Sequence, residues 1–408
     1  MTSTRLSGAA TGAATRSRPR AALPALCVTQ ITSWGIVYYA FPVLTPHITA
    51  DTGWTTAQTT SAFTAALLVS ALVGITVGRI IDRRGPRTVM TTGSVVGALA
   101  LIGIATAPNL PLFFGSWLLA GAAMAATFYQ PAFAALTRWH QPQHVRALTT
   151  VTLAGGLAST VFAPITAVLA DQFGWRTTYL VLAAALAAVT VPLHALALRH
   201  PWPPAGPHTA TKHPASTPDD PARTRQFLLA AVAFTLSGFA MYGVVFNLIP
   251  LLLERGVGST TAAWALGLGG LGQTLGRTLY ATLARHTSVT VRTVALISAS
   301  GATTALLAAV PGPTVLLIAI AILAGTIRGN LTLLQATAVT DRWGTTSYGR
   351  LSALLAAPAT IAGALAPWAT SALVPFLGGY PALFTALAVI AVVAAAVAST
   401  ARPRPQAS

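Results

Sequence analysis

Two arginines, Arg277 and Arg328, stand deep inside apolar runs that carry no acid. Counted from Ser259, Arg277 lies about 27 Å down an ideal helix, and Arg328 lies about 21 Å down from Thr314. Holding a guanidinium at mid-depth in a bilayer costs ~2.5–3.5 kcal/mol on insertion scales, so such a charge persists where it pairs or faces a wet cavity. The chain has seven acids, and none falls within an apolar run. Asp51, Asp171 and Glu254 sit at one set of ends, and Asp82, Asp219, Asp220 and Asp341 at the other. Two buried cations without a buried anion make an incomplete site, which an anionic guest would complete. The planar fork of Arg277 suits a carboxylate. The competing reading for Arg277 is packing against helix carbonyls. For Arg328 it is a structural role, held by Asn330, Gln335 or nearby carbonyls.

Other polar groups accompany the arginines inside the apolar runs: Gln30, Tyr38 and Tyr39, then Tyr129 and Gln130, then Tyr242 and Asn247, and Gln273 one turn before Arg277. A tyrosine offers a hydroxyl beside an apolar ring, which fits a small organic acid. Each of these groups could equally bond a neighbouring helix. His47 and His194 are the remaining proton-carrier candidates.

The elements that must position these groups follow from composition. Of 408 residues, 54% are hydrophobic and 8% charged, with a mean hydropathy of +0.68. A soluble core cannot use that much apolar residue, so the chain reads as a polytopic membrane protein. Apolar runs predict spans near 22–48, 56–78, 88–107, 111–137, 147–172 and 177–198. After a Pro-rich break they resume near 226–253, 260–284, 293–310, 314–340, 350–377 and 380–399. The net charge of +17 would suggest nucleic acid in a soluble chain. Here nearly all the Lys and Arg gather on one side of the predicted spans, and the bias places both termini in the cytoplasm. Trp54 and Trp175 read as interfacial anchors. A repeat at a shift of 204 residues pairs Gly121 with Gly325, Arg138-Trp139 with Arg342-Trp343, Gly174 with Gly378 and Tyr38 with Tyr242. Two parallel halves of this kind place a central site at their interface.

Between the second and third runs lies Gly78-Arg79-Ile80-Ile81-Asp82-Arg83-Arg84-Gly85-Pro86-Arg87, read as a charged cytoplasmic loop. It resembles the loop of the major facilitator superfamily patterned G-x-L-x-D-R-x-G-R-K, matching at Gly78, Asp82, Arg83, Gly85 and Arg87. The resemblance implies that the first, fourth, seventh and tenth helices line the transport cavity. Tyr39-Ala40-Phe41-Pro42, Gly174-Trp175-Arg176 and Gln273-Thr274-Leu275-Gly276-Arg277 look like the monocarboxylate-porter branch. In those porters an eighth-helix arginine binds the carboxylate, and an aspartate one turn earlier engages in proton coupling. Arg277 takes the first position and Gln273 the second. Gln273 cannot carry a proton, which puts coupling through that residue in doubt. Val43 stands where animal members have a lysine.

The expectation is an all-α membrane protein of twelve helices in two six-helix halves. A cytoplasmic tail (1–21) precedes the first bundle (22–198); a cytoplasmic linker (199–225), the second bundle (226–399) and a short tail (400–408) follow. The function expected is alternating-access transport of a small organic anion, monocarboxylate-like and with or without a proton, by a monomer in the cell membrane. The alternative is an exporter of drugs or acidic natural products. Candidate substrate contacts are Arg277, Arg328, Tyr38, Tyr39, Tyr129, Gln130, Tyr242, Asn247, Gln273 and Asn330, with the Asp82 motif as a latch. Asp82 would pair across the halves when the carrier faces outward, or locally with Arg83 or Arg87. No span holds paired carboxylates, a nucleophile elbow or a metal-ligand cluster, so an enzyme, a cofactor and a metal are not expected.

Overall fold

A computed structural model describes residues 21–140, 144–202, 221–343 and 348–401. The tails expected at 1–21 and 400–408 and the linker at 199–225 fall largely outside them. The described chain is helical throughout its length. The helices are α1 (Ala22–Ser33), α2 (Ala40–Thr52), α3 (Thr56–Arg84), α4 (Pro86–Thr106), α5 (Leu110–Thr127), α6 (Tyr129–Trp139), α7 (His144–Gly156) and α8 (Ala158–Ala197). They continue with α9 (Arg225–Glu254), α10 (Ser259–His286), α11 (Val289–Ala309), α12 (Thr314–Thr337), α13 (Thr340–Trp343), α14 (Tyr348–Leu377) and α15 (Tyr380–Thr400).

Among the described residues, nine helical segments are long and apolar enough to cross a membrane. One of them, 146–197, contains two spans that meet at Gly174 (φ 75°, ψ 165°). The rod over 22–52, in which a π-helical stretch (Trp34–Tyr39) joins α1 to α2, and the glycine-rich α10 complete twelve crossings. Helix starts are set locally: the Thr55 hydroxyl and Gln58 form a capping box, while Asn109 and Ser288 accept from the amides of Leu112 and Val291.

The expected loop at 78–87 is shorter than the sequence suggests. α3 stays helical to Arg84, one glycine turns the chain at Gly85 (φ 82°), and Pro86 begins α4. The backbone at Gly85 is one that L side chains rarely adopt, and the fixed φ of Pro86 suits a first helical position.

α1, α3, α4, α5 and α8 pack on one another, as do α9, α10, α11, α12, α14 and α15; α8 with α10 and α3 with α14 join the two groups. The sequence repeat has a structural counterpart. A Cβ at Gly121 would strike the Ala66 carbonyl of α3, and one at Gly325 would strike the Gly269 carbonyl of α10. The paired glycines thus let α5 and α12 touch the backbones of corresponding neighbours. Gly174 and Gly378 both turn with positive φ.

Candidate functional site

The fourth crossing is broken. α5 ends at Thr127, Phe128 is extended (φ −78°, ψ −160°), and α6 restarts at Tyr129. The break frees carbonyls, and Gln30 of α1 satisfies them, donating from Nε2 to Thr127 O at 2.7 Å. Irregular backbone at membrane depth survives only where protein groups or a polar cavity meet its needs. Trp34 of the π-helical stretch stacks on Phe128, with ring centroids 4.1 Å apart. Tyr129 then projects toward Gly155 of α7, and Thr274 and Arg277 approach Gly156 beside it, where no side chain obstructs them.

Arg277 crosses between the two groups of helices. Its Nη1 donates to the Thr152 carbonyl of α7, and the guanidinium lies beside the Tyr129 hydroxyl. Its buried Nε has no hydrogen-bond partner. Arg328 donates from Nε to Gln273 Oε1 at 3.2 Å, while its buried Nη2 has no partner. The carbonyl pairing anticipated as an alternative for Arg277 is therefore half present, and the holder of Arg328 is Gln273 rather than Asn330 or Gln335.

A glycine seam brings the arginines into one neighbourhood. Gly269, Gly272 and Gly276 of α10 face Gly325 and Gly329 of α12, and a Cβ at Gly272, Gly276, Gly325 or Gly329 would run into a carbonyl across the seam. Small residues at such spacing let membrane helices touch backbone to backbone. This seam, and the Gly155-Gly156 recess, escaped the reading of charges and tyrosines. The small-xxx-small pattern at Gly272/Gly276 and Gly325/Gly329 is the signal that shows it.

A cavity of about 350 Å³ lies between the two groups of helices, and Tyr38, Tyr129, Gln130, Met241, Tyr242 and Gln335 are among its walls. On one side it is roofed by aromatic rings: Tyr38 meets Phe63 and Phe246 edge-on, with centroids at 5.4 and 5.3 Å. Phe41 stacks on Phe63 at 4.5 Å. The cavity occupies the side toward Asp82. Neither guanidinium forms its wall. Arg328 lines a smaller adjoining hollow of about 30 Å³ that shares Met241, and Arg277 stands behind Tyr129. Tyr39 meets Tyr38 edge-on, with ring centroids 5.2 Å apart.

Two expected contacts lie elsewhere. Asn247 is buried and donates to Gly243 O and to Thr370 Oγ1, at 2.8 Å each, so it ties α9 to α14. Asn330 donates to Thr326 O of its own helix and sits against Gly276 in the seam. The Asn247 amide is thus occupied with helix packing, whereas Asn330 uses only its Nδ2 and keeps a buried Oδ1 without a partner. Trp175, read as an interfacial anchor, is buried and donates to Asp51. His194 is buried against Ser94, 2.8 Å from its hydroxyl.

At the knot, Asp82 pairs with Arg138 at 2.7 Å, not with Arg83 or Arg87. Arg83 follows Asp82 directly and so points to another helix face, and Arg87, beyond the turn, donates to Ala195 O. Trp202 covers Gly85, donates to Asp82 O and lies under the Arg138 guanidinium at 4.6 Å. At the opposite end Asp171 accepts from Ser259 and Thr260 at the start of α10, and His47 lies 3.3 Å away.

Residues 26–314 match the Major Facilitator Superfamily. Monocarboxylate transporter 11 of Homo sapiens is 32% identical over 197 residues, covering 47% of this chain and 40% of that protein. Monocarboxylate transporter 13 of Bos taurus is 27% identical over 206 residues, covering 47% and 44%. The matched segments thus span under half the length of these curated relatives. Among solved structures, a bacterial homolog of the human lysosomal transporter Spinster, inward-facing and unoccupied, superposes with a TM-score of 0.74 at 15% identity, covering 95% of this chain and 99% of that one. The nucleoside transporter NupG gives 0.74 at 14% identity, covering 93% and 98%. With twelve crossings, the knot at Asp82 and a match over most of its length, the chain belongs to the major facilitator superfamily.

Proposed function

We propose that this protein carries a small organic anion across the cell membrane by alternating access, with both termini cytoplasmic. Arg277 meets the carboxylate of the cargo. The observation that carries this reading is a half-buried arginine whose Nε–H is buried and unpartnered, beside the tyrosine-lined cavity, in apolar spans without acids. An uncompensated buried charge is costly, and an arriving carboxylate offsets that cost with charge-assisted bonds. The names of the monocarboxylate-transporting relatives agree with this chemistry.

The halves, residues 22–198 and 226–399, rock about the site. The aromatic roof and the Asp171 contacts close the outer side, so the arrangement is inward-facing. Tyr38 and Tyr242, related by the repeat, both line the cavity and position the cargo's apolar body. Purified protein in proteoliposomes should take up a labelled small carboxylate. Arg277→Ala should lower uptake by about 30-fold or more, because truncating one partner of a buried charge pair costs 2–5 kcal/mol. Normal uptake by a well-expressed Arg277→Ala protein would sink the assignment.

A further inference from the structure

We propose that the cargo is a dicarboxylate, with one carboxylate on Arg277 and the other on Arg328. This rests on the anion-carrier reading above and narrows it. Both guanidiniums are permanently charged, and both keep a buried N–H without a partner, Nε in Arg277 and Nη2 in Arg328. The Gly272/Gly276 and Gly325/Gly329 seam holds their helices backbone to backbone. Arg328 is tethered to Gln273, and Gln273 precedes Arg277 by four residues, about 6 Å along the axis. The two donors are therefore separate points, one held against Thr152 of α7 and the other against Gln273 of α10.

Charge balance selects the cargo. Gln273 is neutral, so nothing on α10 offsets Arg328, and all seven acids of the chain lie at helix ends or in the linker. A monocarboxylate would leave one guanidinium uncompensated in a low-dielectric site. A dianion with charges at its two ends leaves none, and both orphaned N–H groups gain an acceptor. A single phosphate concentrates its charge at one point and cannot serve two separated forks equally. Tyr242 lines the neighbouring cavity, where its ring can pack against the apolar chain between the carboxylates.

The test uses the purified full chain with succinate, butyrate and glycerol 3-phosphate, reading thermal stabilisation and proteoliposome uptake. Succinate should bind about tenfold or more tightly than butyrate, the gain expected from a second charge-assisted contact. Arg328→Gln should bring the succinate-to-butyrate affinity ratio down toward one, whereas Arg277→Gln should lose binding of both. Arg328→Lys should keep a preference for succinate. Gln273→Glu, which neutralises Arg328 without removing it, should shift preference toward butyrate and covers the case in which Arg328→Gln fails to fold. Equal binding of succinate and butyrate by the unaltered protein, or stronger binding of glycerol 3-phosphate, overturns the dicarboxylate assignment. If butyrate binding still depends on Arg277, the anion-carrier reading survives that result; if no carboxylate binds, both fall.

Discussion

Gln273 Oε1 accepts from Nε of Arg328 across the glycine seam, at 3.2 Å. One helical turn of α10 thereby carries both Arg277 and the group that orients the other buried arginine. The seam is what allows this bond, because a methyl group at Gly276 or Gly329 would push α10 and α12 apart.

Gly325→Leu should therefore disturb more than stability. Its Cβ would strike the Gly269 carbonyl, and overpacking of this kind costs about 1–3 kcal/mol or more. The expected outcome is a lower unfolding temperature in detergent together with weakened carboxylate binding. Gly121→Leu in α5 should destabilise similarly and leave the Gln273–Arg328 bond in place.

Gln30→Leu leaves the Thr127 carbonyl without its donor at the break in the fourth crossing. A buried acceptor left unpaired costs about 1–3 kcal/mol. Differential scanning fluorimetry should show the loss. Gln30→Glu should fare worse when ionised, because it places a buried, unpaired negative charge against the Thr127 carbonyl oxygen.

Asp82→Asn should cost little stability. The Asp82–Arg138 pair is exposed on its acidic side, and such surface pairs contribute under about 1 kcal/mol. If the motif latches the cytoplasmic side when the carrier faces outward, turnover should fall several-fold with the affinity for the carboxylate unchanged. Turnover equal to that of the unaltered protein would count against the latch.

Asp171→Ala removes the acceptor shared by Ser259 and Thr260 at the end opposite Asp82, the outer end in the proposed orientation. The inward-facing form should lose population to the outward-facing one. With Cys27→Ser as background, a cysteine replacing Ser70 on the cavity wall should then react faster with a membrane-impermeant thiol reagent added outside. An unchanged labelling rate would show that Asp171 does not hold the outer gate.

The sequence alone determined the class of molecule, because apolar composition and the one-sided placement of arginines depend only on residue type and spacing. The repeat was legible for the same reason: equal spacing in the two halves puts Gly174 and Gly378 at turns and Gly121 and Gly325 at close helix crossings. Arg277 and Arg328 stood out as charges without an acid at their depth. What the sequence could not show was which faces of the helices meet. Asn247 and Tyr242 both lie in α9, yet Asn247 bonds α14 while Tyr242 lines the cavity. Five residues are about 500° of helical turn, so the two point in different directions. Likewise only packing made Gln273 the partner of Arg328 and Arg138 the partner of Asp82. These contacts join residues 55 and 56 positions apart, and their geometry is decided by crossings that glycine permits, not by any local pattern.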